Sequence, residues 1–245
     1  MTKPLISIVT VCYNSKNTLG KTIQSVAQQS SKDFEYILID GGSTDGTLEI
    51  IEQNIEVISS WISEPDSGIY EAMNKGLKMA RGEYIIYLNA DDCFANENVI
   101  SFITEQIGNN TALGMGVEIY KGEQLKRKYS STHFRYWMFR FGHQPPHPGF
   151  ICKVDFLKEL NGFNESLQIA GDFDLLLRCF KHEDFQWKSC EEVSIKMQTG
   201  GASDGGVKQK QVMNREILSS LKANGVYSNT IIIWSKYLVK VFQFI

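Results

Sequence analysis

Residues 82–94 read GEYIIYLNADDCF. Apolar and aromatic side chains from Tyr84 to Leu88 run into Asn89, Ala90, Asp91 and Asp92. The run has the length and composition of a buried strand. Two adjacent carboxylates at its end repel each other by about 3 kcal/mol at about 5 Å and an effective dielectric of about 20. Taken alone, the pair reads as a turn screened by water; otherwise a cation balances it. The rest of the chain decides between the two.

Working upstream, strand-like runs alternate with helical spacing. LISIVTVC (5–12) is β-rich, and Leu19, Ile23 and Val26 mark a helix over 15–29 with Asn14 or Ser15 as its N-cap. FEYILID (34–40) is a second strand, TLEIIEQN (47–54) a short helix entered through GGSTDG, and EVISSWI (56–62) a third strand. Ile69, Met73, Leu77 and Ala80 mark a helix before the opening stretch, and Val99, Ile100, Ile103 and Ile107 mark one after it. This order implies an α/β fold: a parallel sheet with right-handed crossovers and helices on both faces. Such sheets bind ligands beyond the carboxyl ends of their strands. Tyr13–Asn14, Asp40 and Asn89–Asp92 stand at three strand ends, and Asp66, in SEPDSG, follows the third strand. Carboxylates gathered at one sheet edge shift the reading of Asp91 and Asp92 from solvated turn to site.

Downstream, residues 112–130 read as one or two strands. HFRYWMFRFGHQPPHPGF (133–150) is aromatic and basic, then broken by Pro145, Pro146 and Pro148, so His143 and His147 do not share a helix face. DFLKELNGF is a short helix closed by Gly162. Residues 172–182 form a helix with Asp172 and Asp174 in its first turn, where acids favour the dipole. FQWKSC and VSIKMQ read as two strands, GGASDGG (200–206) as a joint, and 207–224 and 230–245 as helices. The last is apolar, with Ser235, Lys236, Lys240 and Gln243 along one face, as in a helix lying in a membrane interface; the plainer alternative is a terminal helix docked on the body.

The formal net charge of −3 over 245 residues gives no electrostatic case for nucleic acid. Cys12, Cys93, Cys152, Cys179 and Cys190 form no C-x-x-C pair, which reads as thiols in a reducing compartment. With no secretory leader and no uninterrupted membrane-length run visible, a cytoplasmic protein is expected. The strand ends carry neither G-x-G-x-x-G nor G-x-x-x-x-G-K-[ST], so the usual phosphate cradles are missing. Acids reach a phosphate through a divalent cation, which also neutralises a departing diphosphate.

SIVTVCYN, IDGGSTDGT, GEYIIYLNADD and GDFDLLLR, in this order and spacing, resemble the family 2 glycosyltransferases of GT-A fold, over roughly residues 5–200. SEPDSGIYEAMNKG resembles a bacterial branch that builds surface polysaccharides such as O antigen and capsule. The resemblance implies a Rossmann-like, mostly parallel sheet in one catalytic domain (1–205), with a nucleotide-sugar half (about 1–110) and an acceptor half (111–205). C-terminal helices (206–245) follow, membrane-associating in the interfacial reading. It also implies inverting transfer of a hexose or N-acetylhexosamine from a UDP-sugar to a saccharide on polyprenyl diphosphate, at the inner face of the plasma membrane.

Position by position, the resemblance sets Val11, Tyr13 and Asn14 beside the nucleotide base. Asp40 takes the first place of an acid pair whose second is Gly41 here, and Asp66 matches a donor-site acid. Asn89 takes the ribose-contacting place of a D-x-D motif. Asp91, with Asp92 beside it, would bind Mn²⁺ or Mg²⁺. Asp172 matches the catalytic base, with Gly171 where the family has Glu, while Asp174 pairs with Arg178 one turn on. His147 is the candidate acceptor contact. Plainer readings stand beside these: Tyr13 packed on the next helix, Asp40 capping the STDG turn, and Asp66 in a Pro-Asp-Ser-Gly turn. Two other functions fit in outline: a sugar-phosphate nucleotidyltransferase, and a non-catalytic nucleotide- or glycan-binding subunit.

Overall fold

The computed structural model describes residues 3–199 and 206–242, without the side chains of Val207 and of residues 238–242. Most of the expected joint at 200–206, together with Gln243 and the side chain of Lys240, lies outside the described residues. The N-terminal half alternates as its periodicity requires: β1 (Ile6–Cys12), α1 (Leu19–Ala27), β2 (Phe34–Asp40), α2 (Thr47–Gln53), β3 (Ser60–Ser63), α3 (Ile69–Met79), β4 (Tyr84–Tyr87), the short β5 (Cys93–Phe94) and α4 (Val99–Ile107). Strands β3, β2, β1 and β4 lie side by side and parallel. Side chains alternate across a strand. Val9, Val11, Ile37, Ile39, Ile85 and Tyr87 therefore enter one core with α3. Ile6, Ile8, Tyr36, Leu38, Tyr84 and Ile86 enter the other with α1, α2 and α4. Burial on both faces explains why these strands are apolar throughout.

The second half comprises β6 (Ala112–Lys121), β7 (Gln124–Tyr129), a 3₁₀ helix (Tyr136–Phe141), a 3₁₀ turn (His147–Gly149), β8 (Phe150–Lys153), α5 (Val154–Glu159), α6 (Gly171–Lys181), β9 (Trp187–Gln198), α7 (Val207–Ala223) and α8 (Thr230–Phe242). The nine strands among the described residues form one sheet in the order β3-β2-β1-β4-β8-β6-β9-β5, with β7 on β6. The sheet is parallel along its first four strands, as the alternation implies, and mixed in the second half. Only β6–β9 is parallel in this half; β4–β8, β6–β8, β6–β7 and β5–β9 are antiparallel. The β6–β7 link is a hairpin turning at Gly122 with φ +62°, and so short a connection allows no other direction.

Three expectations shift. FQWKSC and VSIKMQ form one strand, β9, whose register against β6 slips around Gly116. The slip is a bulge, and the polar Cys190–Glu192 run that suggested a break lies on it. α1 begins at Leu19 because Asn14 takes φ +49° and residues 15–18 form a turn, so neither Asn14 nor Ser15 caps it. On α8, Lys236 is 6 % exposed and points inward beside the buried Ile233, whereas Ile231 and Trp234 face out. The helix docks on α7 and the first 3₁₀ helix, tied by the Ser228 hydroxyl donating to the Arg140 carbonyl at 2.7 Å.

Candidate active site

Beyond the carboxyl ends of β1 and β4 lies a cleft of about 500 Å³. Val11, Tyr13 and Asn14 line it from β1 and its following loop, Asn89–Asp92 from the end of β4, and His147 and Asp172 from the second half. Met197 and Gln198, at the end of β9, close the wall, because β5 pairs Cys93 with Lys196 and draws the acid pair against that strand. Residues far apart in sequence thus converge as the alternation implied. Among the described lining residues there is no lysine or arginine, so the cleft is acidic.

The acid pair is short of positive charge. Asp92 is 1 % exposed; its carboxylate accepts from Asn89 Nδ2 at 3.1 Å, and its carbonyl from the Thr22 hydroxyl at 2.7 Å. Burial, and then the charge of Asp91, push the Asp92 carboxyl up to about 7. Burial raises half-buried Asp91 as well. Among the described residues no group of three or more His, Cys, Asp or Glu side chains is placed to hold a metal ion. The protein offers two carboxylates there, an oxygen-only donor set that suits a hard divalent cation sharing further oxygens with a ligand.

Asp40 behaves differently. It is fully buried and outside the cleft lining, and its carboxylate accepts from the amides of Gly42 (3.1 Å) and Ser43 (2.9 Å) and from the hydroxyls of Ser63 (2.6 Å) and Ser43. Burial works against its charge, but these donors outweigh it and hold the carboxyl below its ordinary value. This is the plainer reading: Asp40 shapes the 41–47 loop. That loop in turn grips the 14–18 turn. Ser43 Oγ accepts from the Asn14 amide at 2.7 Å, Thr47 Oγ1 from the Ser15 amide at 2.8 Å, and Asn14 Oδ1 from the Thr44 amide at 3.0 Å. Tyr13 is left 64 % exposed at the cleft mouth instead of packing on α1.

Both family glycine departures have a counterpart on one stretch, SEPDSGIYEAMNKG. A Cβ on Gly41 would meet Asp66 Oδ2 at 2.5 Å: the Asp66 carboxylate fills the space a second acid would use. Asp66 does not line the cleft, and its Oδ1 also accepts from the Gly68 amide at 3.0 Å, as its turn reading requires. A Cβ on Gly171 would meet the Tyr70 ring at 2.6 Å, so no glutamate fits there. Tyr70 itself is fixed by donating to the Ile169 carbonyl at 2.7 Å.

Asp172, at the start of α6, accepts from the Phe173 amide at 2.8 Å and from Gln144 Nε2 at 2.7 Å. Gln144, in the GHQPPHPGF loop, carries no sequence signal of its own; it orients the one acid among the described residues that faces the cleft from this half. Asp174 is structural as expected, bonded to Arg178 Nε at 2.8 Å, while the same guanidinium donates to the Leu160 and Gly162 carbonyls. His147 is 7 % exposed, with its ring stacked on Tyr87 and edge-on to Phe163. Burial lowers its pKa against the opposing pull of the Asp172 charge, which keeps the imidazole neutral.

The geometry matches the comparisons with known proteins. Residues 7–157 match the model of glycosyl transferase family 2. A PGL/p-HBAD biosynthesis glycosyltransferase of Mycobacterium tuberculosis is 24% identical over 229 residues, 90% of this chain and 87% of that protein. An uncharacterized glycosyltransferase of Haemophilus influenzae is 33% identical over 150 residues, 59% of this chain and 60% of that protein. The structure superposes on S. aureus TarS 1–349 in complex with UDP-GlcNAc with TM-score 0.69 at 19% identity, covering 88% of this chain and 66% of that one, so the chain spans just under two thirds of that fragment. Mannosyltransferase PcManGT from Pyrobaculum calidifontis, in complex with GDP-Man and Mn²⁺, gives TM-score 0.62 at 14% identity over 100% of this chain and 81% of that one. The fold is that of GT-A glycosyltransferases, and the chain belongs to glycosyl transferase family 2.

Proposed function

We infer that this protein moves a hexose or N-acetylhexosamine, with inversion, from a UDP-sugar to a saccharide acceptor carried on polyprenyl diphosphate. The observation that carries the reading is Asp172 standing in the same cleft as Asp91 and Asp92. In the step, the acceptor hydroxyl oxygen bonds to the anomeric carbon as the bond from that carbon to the diphosphate oxygen breaks. Asp172 takes the hydroxyl proton, and UDP leaves with the bonding electrons. Attack opposite the leaving group inverts the anomeric centre. Gln144 holds the Asp172 carboxylate in orientation.

Asp91 and Asp92 would hold Mn²⁺ or Mg²⁺, which when bound supplies charge neutralisation on the diphosphate. The fit rests on the donor set: two adjacent carboxylates, with no lysine or arginine among the described residues lining the cleft. Tyr13 offers a face for the base, Val11 and Asn14 border it, and Asn89 is the candidate ribose contact. Asp40 and Asp66 act through the loop they brace. The nucleotide sugars named with the similar structures, UDP-GlcNAc and GDP-Man, support a nucleotide-sugar donor.

The M. tuberculosis relative's part in PGL/p-HBAD biosynthesis supports a role in glycan assembly. Among the described residues no helix is long and apolar enough to cross a membrane. The exposed Tyr136, Trp137, Ile231 and Trp234, from the first 3₁₀ helix and α8, support peripheral contact with the inner face of the plasma membrane, where a lipid-linked acceptor resides.

The test is to incubate the protein and Mn²⁺ with UDP-glucose, UDP-galactose and their N-acetyl forms, plus short-chain prenyl-diphosphate-linked N-acetylglucosamine. UDP release and a product heavier by one sugar are expected with one donor. No turnover with any donor on any lipid-linked saccharide tried contradicts the reading.

A further inference from the structure

The segment that leads into Asp172 is held from a helix far along the chain. Glu216, in the middle of α7, accepts from three successive backbone amides: Gln168 on one carboxylate oxygen at 2.8 Å, and Ile169 and Ala170 on the other at 2.9 Å each. On the same segment the Tyr70 hydroxyl donates to the Ile169 carbonyl at 2.7 Å, and the Tyr70 ring closes against Gly171. Each of residues 168–171 is thus fixed by one of these two side chains. Asp172 is next in the chain, and Gln168 and Ile169 line the donor cleft with it. Docking of α7 does not by itself call for this arrangement. Ile217 and Leu221 already seat that helix, buried in one apolar core with Phe173, Leu176 and Leu177 of α6. Three successive amides make a concavity that suits an anion, and a negative group is favourable at the start of a helix. Ala170, the residue before α6, has no side-chain acceptor to supply one. Bonds to an ionised carboxylate are about twice as strong as neutral ones, so Glu216 restrains this backbone firmly.

We propose that Glu216 is a positioning residue for the base: through the amides of Gln168, Ile169 and Ala170 it fixes the segment that aims the Asp172 carboxylate at the acceptor hydroxyl. The proposal rests on the functional reading above, in which Asp172 takes the hydroxyl proton. Glu216 is not among the residues lining the cleft, so it acts on geometry and not on the reacting atoms. A base displaced by about 1 Å loses much of its effect, which gives such a restraint its value. Gln144 holds the carboxylate itself, and Glu216 holds the backbone that carries it. α7, which the resemblance sets outside the catalytic domain (1–205), then belongs to the catalytic unit. It lies beyond the residues 7–157 that match the family model.

The experiment uses the full chain with Mn²⁺, the UDP-sugars and the lipid-linked N-acetylglucosamine named above. kcat, the KM of each substrate and calorimetric UDP binding are measured for Glu216→Gln, Asp172→Asn and the double variant. Rates are counted per UDP-binding site, so that unfolded protein does not enter. Glu216→Gln should lower kcat by about 10–100-fold, with the donor KM and UDP affinity within about twofold of wild type. Glu216→Asp, which keeps the carboxylate, should lose less. In the Asp172→Asn background the Glu216→Gln change should lower kcat by less than about twofold, because a residue acting only through the base has nothing left to position. A purely structural Glu216 would reduce the number of UDP-binding sites and leave the rate per site unchanged, which overturns the proposal. So does a loss that falls on KM and not on kcat, a loss as large without the base as with it, or failure of both Glu216→Gln and Glu216→Asp to bind UDP. Absence of turnover in the wild type, or a wild-type rate in Asp172→Asn, overturns the functional reading instead.

Discussion

Asp40, at the end of β2, and Asp91–Asp92, just past the end of β4, are acids at one sheet edge, yet their surroundings are opposite. Asp40 is fully buried and saturated by two amides and two hydroxyls, and its carboxyl is held below the ordinary value. Asp92 is equally buried but receives only the Asn89 side-chain amide and the Gln198 backbone amide, stands beside another carboxylate, and is pushed up to about 7 by burial and then by that charge. A carboxylate whose donors come from the protein does structural work; one with few donors suits the proposed role of holding an external cation. Sequence position alone does not separate the two, since both follow apolar strands.

The comparison breaks most visibly through activity. Asp172→Asn should lower transfer by about 10²–10⁴-fold, with UDP affinity near wild type. A wild-type rate in a donor and acceptor assay removes Asp172 as the base. Asp40→Ala should act on the other side of the comparison, on stability, by about 3 kcal/mol in denaturant unfolding, because it strands buried hydroxyl and amide donors. An unchanged midpoint would place Asp40 among the sites instead. Gly171→Ala should destabilise by about 1–3 kcal/mol through overlap with the Tyr70 ring. Adding Tyr70→Ala to it should give a double variant less destabilised than the two single changes sum to, as a shared contact requires.

The smallest effect concerns Glu35. Burial opposes its charge, but the Ser7 hydroxyl, the Arg81 amide and the Arg81 guanidinium hold its carboxyl below the ordinary 4.5. The unfolded chain therefore takes up its proton first as pH falls, so this stabilisation is present above pH 4.5 and is lost as pH drops through the lower folded value. Glu35→Gln should flatten the acid limb of a melting-temperature profile in that window and leave its slope near neutrality unchanged.

Much of this was legible in the sequence. Strand ends are marked by abrupt apolar-to-polar changes, and the parallel half follows from strict alternation, so the gathering of Tyr13, Asn14, Asn89 and Asp91 could be read directly. The Asp174–Arg178 pair follows from helical spacing. What stayed hidden depends on long-range packing. Nothing local says that Asp40 is saturated by Ser63, that Asp66 fills the space at Gly41, or that Tyr70 excludes a side chain at Gly171. The antiparallel insertion of β8 between β4 and β6 has no periodic signature in four residues. Lys236 looked like a solvent-facing lysine because its helix partners, α7 and the aromatic 3₁₀ helix, come from distant stretches.

The central proposal is that Asp91 and Asp92 hold a divalent cation shared with a diphosphate. Calorimetric titration of UDP with and without Mn²⁺, on wild type and on Asp91→Ala, tests it directly. The account predicts that Mn²⁺ tightens UDP binding by roughly tenfold or more in the wild type and has no effect in the variant. Equal UDP affinity with and without the metal in the wild type, or a metal effect that survives Asp91→Ala, would contradict it.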